Sequence, residues 1–141
     1  MGILSLVDCC SWVLITGGRV QPFYHSEYRQ VATLRKVRPE PHLQINPEAA
    51  RELGIPDGEC VWIETPLGRI TQKAACFPGI DPQVVHAEHT RWFPEEDDVE
   101  PNLYGVFRSN ANVFVDEDPE ICNQSSGGYP TRGLLCNVYR K

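Results

Sequence analysis

Residues 45–74 read INPEAARELGIPDGECVWIETPLGRITQKA, and this stretch decides the fold. Asn46 suits an N-cap and Pro47 suits the first helical position, where its missing N–H costs nothing. Glu48 falls in the first turn, where the helix dipole favours a negative charge. Gly54 is the expected left-handed residue after the helix, and Ile55 is the apolar residue that folds back over its end. Ala50 can touch both Ile45 and Ile55, which clamps the helix at both ends. So short a helix does not survive alone and must dock on something. Its partner follows at once. Pro56-Asp57-Gly58 reads as a turn, and Glu59 to Glu64 as a strand with Val61 and Ile63 on one face. Thr65-Pro66-Leu67-Gly68 turns the chain, and Arg69 to Ala74 returns with Ile70, Gln72 and Ala74 alternating against Arg69, Thr71 and Lys73.

Working outward, Trp12 to Ile15 reads as a strand that ends in Thr16-Gly17-Gly18-Arg19. Glycines after a strand let backbone approach a ligand, and exposed amides there can hold phosphate; a plain tight turn is the alternative. No G-x-G-x-x-G is present, so this is not a dinucleotide fingerprint of that kind. Val84 to Glu88 and Leu134 to Tyr139 read as further strands. The last can close a barrel and remove a sheet edge.

Taken together and in order, LITGGRV at 14–20, His25-Ser26, INPEAARELGIPDGE at 45–59, GRITQKA at 68–74, HTRWFP at 89–94, Ser109 to Asn112 and RGLLCNVY at 132–139 carry a resemblance. The chain resembles the C-terminal domain of the molybdopterin oxidoreductases, the dimethyl-sulfoxide-reductase family, over residues 12–141, with 1–11 as a non-matching N-terminal extension. The resemblance implies a mainly β fold, a six-stranded double-psi β-barrel with short helices, of the aspartate-decarboxylase-like kind. Periodicity alone supports a compact, strand-rich domain with one or two short helices.

Composition agrees with one domain. A chain of 141 residues builds one ordinary core, and 12 prolines with 11 glycines mean short elements and many turns. A formal charge of −6 argues against general nucleic-acid binding, and no apolar run approaches a membrane span. The six cysteines include no C-x-x-C pair. Cys60, Cys76 and Cys136 sit in apolar strand patterns and read as small core hydrophobes, so a reducing, cytoplasmic setting is the simpler assumption for this chain. The first eight residues make a poor signal peptide.

The resemblance also implies a cofactor, molybdopterin guanine dinucleotide, whose molybdenum or tungsten is held by other domains. The residues it singles out are Thr16, Gly17, Gly18, Arg19, His25, Ser26, Trp92, Asn112, Tyr129 and Arg132. His25 and the hydroxyl of Ser26 would lie against the pterin and its phosphates. The amide of Asn112 would donate to and accept from pterin ring edges. Arg132 and Tyr129 precede the last strand, where the family carries a cationic or aromatic contact. The family often has arginine directly after the first glycine; here Gly18 intervenes. Thr90 and Arg91 also depart from the family pattern, so only Trp92 is carried over there. Bland alternatives stand beside these: a capping or surface histidine for His25, and an Asn-rich cap for Asn112.

Three other features read as structural. Arg29 to Arg38, with four cations, is a solvated loop or faces phosphates or an acidic partner. The acidic runs at 95–100 and 116–120 lack a calcium-loop pattern and read as solvated faces. His86 and His89 point to opposite faces of a strand and form no metal pair.

The expected function is a cofactor-binding domain or small subunit of a molybdenum or tungsten oxidoreductase. It would wall the cofactor without supplying the metal ligand or an iron–sulfur site, would not be catalytic alone, and would join a larger catalytic chain. The alternative is a stand-alone double-psi barrel adaptor. A self-processing decarboxylase would need a Gly-Ser cleavage site, and Gly-Ser does not occur.

Overall fold

A computed structural model describes residues 12–141; the readings of the N-terminal extension, Cys9 and Cys10 lie outside them. The elements run β1 (Trp12–Ile15), α1 (Ala32–Val37), β2 (His42–Ile45), α2 (Pro47–Glu52), β3 (Cys60–Thr65), β4 (Gly68–Cys76), β5 (Val84–Ala87), α3 (Val106–Ser109) and β6 (Arg132–Arg140). Short 3-10 turns fill the space between β5 and β6 at 103–105, 111–114 and 119–121.

The deciding stretch folds as its residues dictate. The Asn46 side chain accepts from the Glu48 amide at 2.8 Å, which caps α2. At its other end the Ile55 amide donates to Ala50 O (2.8 Å) and the Gly54 amide to Arg51 O (3.1 Å). With Gly54 at φ +64°, this is the complete two-bond Schellman stop. β3 and β4 then pair antiparallel from Cys60↔Lys73 to Thr65↔Gly68, so Pro66 and Leu67 alone form the hairpin tip.

The six strands close into a barrel in the order β1-β5-β2-β4-β3-β6. β1 lies parallel to β5 and β2 parallel to β4, while the other four pairings are antiparallel. This mixed order, with non-consecutive neighbours, is consistent with the double-psi label. Every strand sends apolar side chains inward: Leu14, Leu43, Ile45, Val61, Ile63, Ile70, Val85, Cys136 and Val138 are buried together. Ala49, Ala50 and Ile55 of the α2 region close one end, and Ala111 and Phe114 join the same core from the long β5–β6 connection.

Two expectations change. Residues 29–38 are not a loop throughout: Ala32 to Val37 form α1. The sequence carries no helix start signal, because Val31 occupies the N-cap and provides no side-chain acceptor; the helix rests on interior propensity from alanine, leucine, arginine and lysine. The thiols divide as well. Cys136 is in the core, whereas Cys60 takes the alternate phase of β3 and is half-buried, as is Cys76 at the end of β4.

Candidate functional site

The barrel register gathers the long connections at one rim. Ile15 stands opposite both His86 and Arg132, Leu43 opposite Ala87, and Thr65 opposite Gly68. β1, β3 and β5 therefore finish, and β2, β4 and β6 begin, at the same end. Thr16 to Ser26 leave β1 there, Trp92 follows β5, and Arg132 opens β6. The 111–114 turn that contains Asn112 packs on β4, where the Val113 side chain lies against Gly68.

The first group is the turn after β1. Thr16 is tied down twice, since its amide (3.2 Å) and its hydroxyl (2.7 Å) both donate to Thr131 O. Gly17 has φ +82°, a conformation that other residues adopt at a cost. From Gly17 to Gln21, five successive amides donate to no acceptor among the described residues. Gly18 is glycine for space: a Cβ there would fall 2.6 Å from His86 Nε2. Arg19 is exposed, with its guanidinium 4.5 Å from the Tyr24 ring centroid. Arg132 is exposed beside them.

The second group centres on His25, held at φ +51°. Its Nδ1 lies 2.7 Å from Nε2 of His89. One nitrogen must donate and the other accept, and the remaining nitrogen of His89 decides which. His89 Nδ1 is buried with no partner among the described residues. An unpaired lone pair is tolerated there more readily than an unpaired N–H. The proton of neutral His89 thus sits on Nε2 and is donated to His25 Nδ1, which leaves Nε2 of His25 as that ring's donor. Burial is the largest cause lowering the pKa of His89, the nearby Arg29 acts in the same direction, and the ring stays neutral. Ser26 contributes its carbonyl, which accepts from Trp92 Nε1 at 2.7 Å, and Trp92 meets Tyr104 edge-on at 5.5 Å.

Beneath this group lies a buried ionic cluster that sequence reasoning missed. Arg29, Glu88 and Arg91 are each no more than 2% exposed. Arg29 donates to Glu88 Oε1 at 2.6 Å, and Arg91 stands 3.6 Å from the same oxygen. Arg29 also donates to His25 O at 3.0 Å, and Arg91 donates to the carbonyl of Pro39. Gln72, also buried, bonds both the amide (3.0 Å) and the carbonyl (2.6 Å) of Glu88. The cations of residues 29–38 are thus mostly committed: Arg29 to Glu88, Arg35 to Glu95, and Arg38 to His42 at 2.6 Å. The acidic run likewise gives Glu95 to Arg35 and Glu96 to Arg108. The only available signal was a glutamate and an arginine three apart at the end of an apolar strand.

Asn112 and Tyr129 stand apart from both groups. Asn112 is exposed in a groove of about 350 Å³ lined by Val106, Phe107, Val113 and Glu117, and its amide donates to the capping side chain of Asn110. Tyr129 lines a neighbouring groove, and its hydroxyl donates to Glu117 O at 3.4 Å. An apolar groove of about 390 Å³ on the barrel flank, around Leu67, Ile121 and Leu135, includes none of the ten candidate residues. Among the described residues no group of three or more His, Cys, Asp or Glu side chains is placed to hold a metal. His86 and His89 go to different partners, Gln44 and His25.

The donor set suits a diphosphate joined to heterocycles. Open amides and two arginines match anionic oxygens, and an imidazole N–H, an amide and aromatic rings match ring edges and faces.

Residues 13–128 match the model of the Molydopterin dinucleotide binding domain family. Over 128 residues the chain is 39% identical to "Dopamine dehydroxylase" of Eggerthella lenta, covering 89% of this chain and 12% of that protein. It is 30% identical over 131 residues to "Acetylene hydratase" of Syntrophotalea acetylenica, covering 91% of this chain and 18% of that protein. In three dimensions it resembles "Acetylene Hydratase from Pelobacter acetylenicus", with a TM-score of 0.87, 26% identity, and coverage of 97% of this chain and 19% of that one.

Proposed function

The chain belongs to the molydopterin dinucleotide binding domain family, and on that premise we propose that its rim forms one wall of the cofactor site. As a molybdopterin dinucleotide-binding domain it spans less than a fifth of the length of the relatives it matches. The rest of the proposed site, including the groups that hold molybdenum or tungsten, belongs to a larger catalytic chain. When bound, the cofactor supplies redox chemistry at its metal, and the protein supplies binding, orientation and electrostatics.

One observation carries the assignment of residues: the five amides of Gly17 to Gln21 that meet no acceptor among the described residues, with the exposed Arg19 side chain among them and Arg132 beside them. Amides without an acceptor, beside two cations, are complementary to a diphosphate. Thr16 and Gly17 shape this turn, and Gly18 keeps it clear. His25 presents Nε2–H as a donor, with Ser26 and Trp92 bracing its loop. Asn112 and Tyr129, on the neighbouring grooves, take the more distant end of an extended ligand. The cofactor is molybdopterin guanine dinucleotide in this reading, because a guanine offers the ring edges that asparagine amides pair with.

Titrating the chain with diguanosine diphosphate while following backbone amide signals tests the reading. The expected result is shifts concentrated at Gly17 to Gln21 and His25, with weak affinity that falls as salt rises. Shifts confined to other surfaces would refute it.

A further inference from the structure

We propose that His86 is the floor of the anion cradle and takes up a proton when a diphosphate binds above it. The inference rests on the rim reading and adds a residue that is not among the ten cofactor contacts implied by the family resemblance.

Four observations converge. His86 is the β5 residue opposite Ile15, at the point where β1 gives way to the glycine turn. Its Nδ1 lies 3.1 Å from Gln44 Oε1 on β2, and since a carbonyl oxygen only accepts, Nδ1 carries the proton of the neutral ring. That leaves Nε2 as a bare lone pair. Nε2 and Cε1 are the atoms that a side chain at Gly18 would strike, at 2.6 and 2.8 Å, so this edge of the ring lies directly against the turn whose amides are open.

Gly18 is therefore glycine because of His86, and not for its backbone angles: its φ is outside the left-handed region that Gly17 occupies. The ring is half-buried and anchored by Gln44, which limits how far it can yield to an added methyl group.

The charges around the ring set the direction of the coupling. In the free protein burial is the largest influence and lowers the pKa of His86; Arg132 lowers it further, while Glu88 opposes both. Gln44 and the residue 16–20 turn bring no charge against the ring except Arg19, which is turned to Tyr24. The ring is thus neutral near pH 7, with an acceptor facing a site built for anions. A diphosphate in the cradle offsets Arg132 and rewards a proton on Nε2, which then becomes a donor. Binding raises the pKa, so affinity rises as pH falls through the window between the bound and free values.

The test is calorimetric titration of the chain with diguanosine diphosphate at several pH values, paired with nitrogen-15 signals of the histidine rings. Its esterified phosphates do not titrate near neutrality, so the ligand brings no proton of its own. One coupled proton gives an affinity rising about tenfold per pH unit at its steepest. His86→Gln should bind with a flattened pH profile. Gly18→Ala should displace the His86 signals even without ligand and weaken binding, and His86→Ala in the same chain should restore part of that loss. Binding at Gly17 to Gln21 whose pH profile is identical in wild type and His86→Gln would overturn this inference and leave the rim reading standing. Absence of any shift at Gly17 to Gln21 would overturn both.

Discussion

Gly54 and Glu52 are two residues apart yet meet different physical demands. Gly54 has φ +64°, and a Cβ there would meet nothing within 4 Å, so the restriction is conformational and not steric. Gly54→Val should cost about 1–2 kcal/mol, since a β-branched side chain in the left-handed region is strained. Exposed Glu52→Ala should change little. Equal denaturation midpoints for the two would remove the basis for the helix stop. Glu88 is the opposite case, a buried charge set between two guanidiniums, with its main chain held by Gln72. Arg29→Ala leaves that carboxylate with a distant partner only, and should cost about 3 kcal/mol in urea unfolding. A loss below about 1 kcal/mol would mean that Arg91 suffices. Gly54 could be read from the sequence because its environment is its own helix. The Arg29–Glu88 pair could not, because its members are 59 residues apart and nothing local to either names the other as its partner.

At the scale of elements, the same distinction separates α2 from α1. α2 announces itself through Asn46, Pro47 and Gly54, each of which acts within one turn. α1 has no side-chain cap and buries no residue, and its place is fixed by Arg35 reaching Glu95 across the rim. The β3–β4 hairpin was legible from alternation, but its use was not. Its first β4 residue, Gly68, lies so close to the 111–114 turn that a Cβ would come 2.8 Å from Val113 Cγ1. Gly68→Ala should therefore destabilise the docking of that turn by about 1–3 kcal/mol, the usual cost of overpacking. Val113→Ala in the same chain should recover part of it. A Gly68→Ala protein with unchanged thermal midpoint would show that the turn moves aside freely. At the candidate site, the turn after β1 and His25 were visible as motifs. Their supports, His86 and His89, were read only as a rejected metal pair, because strand alternation says where side chains point but not what they meet.

For the whole molecule, three histidines act in one direction. His42, His86 and His89 all have lowered pKa values, with burial the largest cause in each. The unfolded chain binds protons near the ordinary value of 6.5 while the folded chain resists them. Stability is therefore fully present above that value and is lost as pH falls through it toward the folded values. The urea midpoint should be lower at pH 5 than at pH 7.5, and replacing the three with glutamine should flatten the difference. A midpoint that rises on acidification would contradict the burial argument.

The carboxylate of Glu88 has one more consequence. It sits where β5 ends, while its guanidinium partners come from the segment after β1 and from the start of the β5–β6 connection. Neither segment can peel away alone without leaving a buried charge short of a partner, and that penalty makes partial opening expensive. The two should thus open as a single foldon, with Arg29, His25 and Arg91 sharing one opening free energy above that of the exposed glycine turn. Native-state hydrogen exchange would then divide the rim into a hard floor and a soft lip, with the ligand contacts distributed between them.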